Sequence, residues 1–314
     1  MKIFCTDHYV LPLPAGHRFP MAKYSLLRKR VEEAGLASGQ GLREPHAATE
    51  EEILRAHDRG YLERVVNGQL SAQELRRIGF PWTPQMVERS RRSAGATIEA
   101  CRAALAEGVA VNLAGGSHHA FRDHGEGYCV FNDSAIAALA MQAEGRARRI
   151  AILDCDVHQG NGTASILADD PTAFTFSIHA SKNFPFRKGA SDIDIELPDG
   201  TGDADYLDAL EQGICHTLSA ARPDLAIYLA GADPYVGDRL GRLSLTKEGL
   251  QARDRKVFEL CRAASVPVAV VMAGGYSRDM ADTVEIHFST VDTAANFWHA
   301  AQRPTFFFPG ARQI

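Results

Sequence analysis

The sequence contains no C-x-x-C pair, no long apolar run and no strong excess of either charge, and each absence removes a class of function. Cys5, Cys101, Cys129, Cys155, Cys215 and Cys261 stand singly, which excludes a zinc ribbon and the disulfide framework of a small secreted chain; they read as buried thiols in a reducing compartment. The most apolar run, residues 266–273, is far too short to span a bilayer. The opening MKIFCTDHYV has neither the apolar core nor the small-residue cleavage site of a signal peptide. The expectation is a cytoplasmic protein that engages no membrane. A net charge of −5 and an isoelectric point near 6.2 give it no general attraction to nucleic acid. Its basic runs, at 28–30, 89–92 and 146–149, read as solvated faces of helices. The glycine pairs match neither G-x-x-x-x-G-K-[ST] nor G-x-G-x-x-G, and no G-x-S-x-G elbow occurs, so nucleotide binding and the serine-hydrolase route are excluded.

What is present is enough apolar material for one large core: 45% of 314 residues are hydrophobic, and a single domain is expected. From residue 83 onward, strand-length apolar runs (109–114, 149–154, 174–178, 225–230 and 266–272) alternate with helical patterns (84–107, 132–145, 204–220 and 247–263). That alternation predicts an α/β fold with a central, mostly parallel sheet of about eight strands and helices on both faces. The first eighty residues predict a short strand over 2–6, a helix over 20–34 and one or two helices over 50–69. Residues 180–202, rich in Gly, Pro and Asp, read as a long loop over one end of the sheet.

Chemistry gathers where the strands end, which is where open α/β sheets bind ligands. Five expected strands lead into Gly115-Gly116-Ser117-His118-His119, Asp154-x-Asp156-x-His158, His179, Gly231-x-Asp233 and Gly274-Gly275-Tyr276. Residues two apart on an extended chain point the same way, so Asp156 and His158 can meet one ion, and Asp233 can complete the three protein ligands of a mononuclear zinc site with an open position for water. Asp154 is better read as a carboxylate orienting a neighbouring imidazole. His118 and His119, titrating near neutral pH, suit proton transfer in both directions. Tyr276 can place a phenol where a carbonyl oxygen becomes negative. Each of these residues alone has an ordinary structural explanation, whether cap, core histidine or packed aromatic; their joint placement is what points to a site.

The segments AGGSHHA (114–120), GYCVFND (127–133), DCDVHQGNGT (154–163), AGADPYVGDRLG (230–241) and AGGY (273–276) resemble, in order, the motif series of the histone deacetylases, whose fold is arginase/deacetylase-like. HRFPMAKY (17–24) and GFPWTPQMVERSRRSAGAT (79–97) are most similar to class IV and its bacterial relatives. The resemblance implies a zinc-dependent lysine deacetylase or deacylase: zinc on Asp156, His158 and Asp233, His119 as the chief general base and acid with His118 assisting, and Tyr276 polarising the acyl carbonyl. It further implies an acyl-lysine tunnel lined by Tyr128 and Phe184 with room at Gly127, and an acyl pocket near Gly115, Cys129 and Val130. Asp154 would bind His118 and, with Ser177, hold a structural monovalent cation, potassium. Two departures stand out. Asn161 replaces the aspartate that pairs with the second histidine in class I enzymes, and residues 79–84 lack the aspartate that clamps a peptide backbone at the rim, which weakens the case for a histone tail. The substrate is thus an acylated lysine peptide or protein, or a small acylated amine; an acylpolyamine hydrolase and a catalytically silent acyl-lysine binder are the competing readings.

Overall fold

The computed structural model describes residues 1–37 and 41–301. Its elements, in chain order, are β1 (Lys2–Phe4), α1 (Lys23–Glu33), β2 (Leu42–Arg43), α2 (Glu50–Leu54), α3 (Arg59–Val66), α4 (Ala72–Ile78), α5 (Pro84–Glu107), β3 (Val109–Asn112), α6 (Asp133–Ala143), β4 (Ile150–Asp154), α7 (Asn161–Leu167), β5 (Ala173–Ala180), β6 (Ile193–Leu197), α8 (Asp203–Ala221), β7 (Leu225–Leu229), α9 (Lys247–Ala263), β8 (Val268–Val271) and α10 (Met280–Ala301). The helix starts follow local chemistry. Thr83 accepts the Met86 N–H ahead of Pro84 at the start of α5, and Asn132 accepts the Ala135 N–H at the start of α6.

The strands form one eight-stranded parallel sheet in the order β2-β1-β3-β8-β7-β4-β5-β6. Because side chains alternate along a strand, each inner strand feeds two cores. Ile150, Ile152, Ile227, Leu229, Ala269 and Val271 join α5 and α6 on one face; Ala151, Leu153, Ala226, Tyr228, Val268 and Val270 join α1, α8, α9 and α10 on the other. Burial of each large aliphatic contributes roughly 1.5–3 kcal/mol. That double coverage explains why these strands read as unbroken apolar runs. The order also contains a return. After β6 the chain comes back to insert β7 beside β4, and then β8 between β7 and β3, so the carboxyl ends of β3, β8, β7 and β4 lie side by side.

Several expectations need correcting. Residues 180–202 are not wholly loop, because β6 pairs in parallel with β5 from Phe176↔Ile193 to Ala180↔Leu197. Its sequence, IDIEL, is an edge strand with little buried surface, so the apolar signal is weak. The helices α4, α7 and α10 and the two-residue β2 were not foreseen. α4 carries a Ser71–Glu74 capping box and a left-handed Gly79 at its end, yet is only seven residues long. Arg89, read as part of a solvated face, is buried with its guanidinium 4.3 Å from the centre of the Tyr24 ring. Cys215, read as buried, is exposed, whereas the other five thiols are buried. No helix among the described residues is long and apolar enough to cross a membrane.

Candidate active site

The four adjacent strand ends bring together residues far apart in sequence. Asp156, His158 and Asp233 each offer a ligand atom, and these atoms lie within 4.8 Å of one another. His158 Nδ1 stands 2.9 Å from Asp156 Oδ1 and 3.4 Å from Asp233 Oδ2. The other oxygens are held by backbone: Asp156 Oδ2 accepts the Gly274 N–H at 2.7 Å, and Asp233 Oδ1 accepts the Val157 N–H at 3.0 Å. Asp233 Oδ2 is buried without a hydrogen-bond partner among the described residues. A buried carboxylate oxygen without a hydrogen bond is costly unless a cation meets it, and here only the 3.4 Å approach of His158 Nδ1 offsets that cost. Two carboxylates and one imidazole with that orphaned oxygen fit a divalent metal such as zinc. Burial and the neighbouring Asp156 raise the Asp233 carboxyl to about 7. Burial opposes charge on His158, but Asp156 and Asp233 outweigh it and lift the imidazole to about 10. A metal entering this cluster would therefore displace a proton.

The two histidines after β3 are adjacent in sequence and unequal in environment. Their ring centres are 4.1 Å apart. His118 Nδ1 lies 2.7 Å from Asp154 Oδ2, and His119 Nδ1 lies 2.7 Å from Asn161 Oδ1. Burial works against a charged His118, yet Asp154 and Asp156 overcome it and raise the imidazole to about 9. Burial pushes His119 well below its ordinary value, and the charges on His118 and His158 add to the shift. One ring is thus set up to be cationic and the other neutral, the separation expected of an acid and a base working together. Asp154 also accepts the Asp156 N–H at 3.1 Å, and it faces Ser177 in register across β4 and β5. Ser177 Oγ lies 2.9 Å from His179 Nδ1. Neither Asp154 nor Ser177 offers an orphaned oxygen among the described residues, so potassium there rests on resemblance alone.

Four residues that support this arrangement were not singled out from sequence. Asp133, at the first turn of α6, accepts the Thr97 hydroxyl at 2.6 Å and the N–H groups of Gly116 and Ser117 at 3.1 and 2.6 Å, fixing the turn that presents the histidines. Asp238 accepts the N–H groups of Leu240, Gly241 and Tyr276 at 2.7, 3.0 and 2.6 Å, anchoring the tyrosine's loop to the loop after β7. Lys23 Nζ, on α1, donates to the carbonyls of Ala273 and Gly275 at 3.3 and 3.4 Å and sits 5.4 Å from the Tyr276 ring centre. Arg253 on α9 is fully buried and donates to the carbonyls of Gly231 at 2.5 Å and Cys155 at 3.4 Å, bracing both aspartate-bearing loops. Asp133 and Asp238 lie inside the motif segments, Asp133 after the helix-capping Asn132 and Asp238 after Gly237. Nothing local marks Lys23 or Arg253.

His118, His119, Asp156, His158, Asp233, Tyr276 and Lys23 line one cavity of about 690 Å³. Part of its lining is aromatic. The Phe184 ring meets His119 edge-on at 4.9 Å, and Tyr128 lies 5.3 Å from both Phe19 and Phe80 and 6.0 Å from Tyr276. Gly127 has φ +55°, and a Cβ there would stand 2.8 Å from the His119 ring and 3.4 Å from Phe184, closing the passage. Burial pushes the Tyr276 phenol well above its ordinary value, which keeps it a hydrogen-bond donor. Gly115, Cys129, Val130, Lys23 and Arg89 line the same cavity.

The chain resembles known proteins over most of its length. It is 44% identical over 279 residues, 89% of this chain and 93% of the relative, to an uncharacterized protein of Picosynechococcus sp.. It is 32% identical to the histone deacetylase-like amidohydrolase of Pseudomonas aeruginosa, covering 85% of this chain and 74% of that one. Histone deacetylase 2 of Arabidopsis thaliana is 29% identical over 86% of this chain and 73% of its own. Among solved structures, a histone deacetylase homologue from Aquifex aeolicus superposes with a TM-score of 0.82 at 23% identity, covering 94% of this chain and 84% of that one, and shows the shared fold. The model of the histone deacetylase domain matches residues 17–291, a span that takes in every strand end described above, and the chain belongs to the histone deacetylase family.

Proposed function

We propose that the protein is a zinc-dependent amidohydrolase that removes the acyl group from an N-ε-acyl-lysine side chain. The observation that carries this reading is the orphaned, buried Asp233 Oδ2 beside Asp156 and His158, at the foot of an aromatic passage that also presents His119 and Tyr276. Asp156, His158 and Asp233 would hold zinc, which when bound supplies Lewis acidity toward the acyl carbonyl and a more acidic water.

The chain's own residues account for the rest. Tyr128 and Phe184 enclose the aliphatic stem of the lysine, with Gly127 leaving room for its amide. The Tyr276 hydroxyl donates to the carbonyl oxygen as charge develops on it. His119, held neutral, takes the proton of the attacking water through Nε2, since Nδ1 is engaged by Asn161. The C–N bond then breaks, and the amine leaves with a proton from the histidine pair, producing a carboxylate and a free lysine. His118, kept cationic by Asp154, supplies positive charge beside the developing oxyanion and holds a proton within reach.

The test is hydrolysis of acyl-lysine peptides, from acetyl to myristoyl, by the purified protein before chelation, after it and after zinc is restored. Activity that disappears and returns with zinc supports the proposal. Zinc bound without turnover of any substrate would overturn it in favour of an acyl-lysine binder.

A further inference from the structure

The cavity mouth carries a charge opposite to that of the chain as a whole. Arg76, Arg77, Lys182, Arg239 and Arg242 all line it and are all exposed, on a protein of net charge −5. They come from three separate segments. Arg76 and Arg77 close α4, Lys182 follows β5, and Arg239 and Arg242 lie in the loop after β7. Against them, Glu126 is the only carboxylate lining the cavity above the Asp156–Asp233 cluster, among the described residues. Asp199 offsets part of the charge, 3.1 Å from Arg242 and 4.0 Å from Lys182. Arg76 and Arg77 form no ion pair among the described residues. Arg239 donates to the Tyr276 backbone carbonyl at 3.0 Å, which holds this exposed cation against the loop that bears the tyrosine.

We propose that this cationic collar selects acyl-lysine peptides with Asp or Glu next to the modified lysine. Once the acyl-lysine stem is inserted, its neighbouring residues must lie across the mouth, so their carboxylates come within a Debye length of several unpaired or half-paired cations. A basic tail or a polyamine would meet like charge there, and the collar would reject it. The same field would gather anionic peptides from solution, an effect that salt weakens. The inference rests on the acyl-lysine reading of the cavity, and the experiment separates the two.

Three labelled acyl-lysine peptides, identical except for acidic, uncharged or basic flanks, would be measured for binding by fluorescence anisotropy and, in parallel, for turnover, at low and high salt. The acidic peptide should bind about three- to tenfold tighter than the uncharged one and the basic peptide weaker, with the spread shrinking as salt rises. R76E/R77E, and separately R242E, should cut the acidic preference by a similar factor, mainly in KM, and leave kcat on the uncharged peptide within about twofold. A basic peptide that binds as well as the acidic one, or a ranking unmoved by both variants, would overturn the proposal. So would tighter binding of a small N-acyl amine carrying one carboxylate, which would assign the collar to an anionic metabolite. Binding in the expected order without turnover would overturn the hydrolase reading alone.

Discussion

Nδ1 of His119 lies 2.7 Å from Oδ1 of Asn161, an amide that can accept a hydrogen bond but cannot balance a charge. The preceding ring in the chain, His118, has a carboxylate in the same role. An amide partner leaves burial and the neighbouring imidazoles free to keep His119 neutral. Asn161→Asp should therefore raise the His119 pKa. Since the base must be neutral to act, the acidic limb of the kcat/KM profile should move to higher pH by about one unit. A pH–rate profile of the variant checks this, and an unmoved limb would remove His119 as the base.

Tyr276→Phe keeps the ring and its contact with Lys23 but removes the donor. Zinc content measured by metal analysis should be unchanged, while kcat falls by about 10²–10³, the usual cost of losing an oxyanion donor. Full activity in the variant would show that the phenol takes no part.

Asp133→Ala leaves the Gly116 and Ser117 N–H groups and the Thr97 hydroxyl without their acceptor in a buried site. Chemical denaturation should show a loss of roughly 2–4 kcal/mol. The folded fraction should turn over more slowly, because the turn presenting His118 and His119 is no longer fixed. A loss of stability with kcat unchanged would confine Asp133 to the fold.

Gly116 has φ +76°, and a Cβ there would overlap the backbone of Ala273. The loop bearing the histidines and the loop bearing Tyr276 therefore meet closely at Gly116, against the backbone and Cβ of Ala273. Gly116→Ala must push them apart, so activity should fall at least tenfold even where circular dichroism shows native secondary structure. Wild-type kinetics in this variant would show that the separation of the two loops is not critical.

His57 is buried, and its Nε2 accepts the Asn132 N–H at 2.9 Å, which only an unprotonated nitrogen can do. Burial lowers its pKa to about 4, against about 6.5 in the unfolded chain. With the folded value depressed, its contribution to stability is complete above about pH 6.5 and is lost as pH falls toward 4. Between pH 7 and pH 5 that loss amounts to about 2 kcal/mol. Denaturant midpoints at the two values should differ less in His57→Gln than in the wild type, and an equal difference would locate the acid sensitivity elsewhere.

Much of the site was legible because its chemistry is local. Asp154 closes β4 with Asp156 and His158 within the next four residues, though the chain bends from Asp156 to His158 and does not stay extended, and His118 and His119 follow a glycine pair; an apolar run followed by such a cluster suffices to place them at strand ends. The buried strands announced themselves as apolar runs, and Thr83 and Asn132 announced the helices they cap. The edge strand β6 did not, since its half-exposed face leaves a pattern of acids and isoleucines that carries no core signal.

What the sequence by itself determined is therefore the set of parts: parallel strands, their covering helices, and the polar residues at each strand's end. Which ends meet was decided only by the tertiary structure. The return of the chain after β6 places β8 beside β3 and β7 beside β4, and this brings Asp233 to Asp156 and Tyr276 into the cavity that His119 lines. Strand order is a matter of how whole faces bury against helices, not of any window of residues, so no local pattern contains it. The same holds for Lys23 and Arg253, which are ordinary helix positions by composition and become buried cations braced on site loops through packing. It holds also for the collar, where cations from three distant segments converge on one opening, while the sum of charges over the chain is negative.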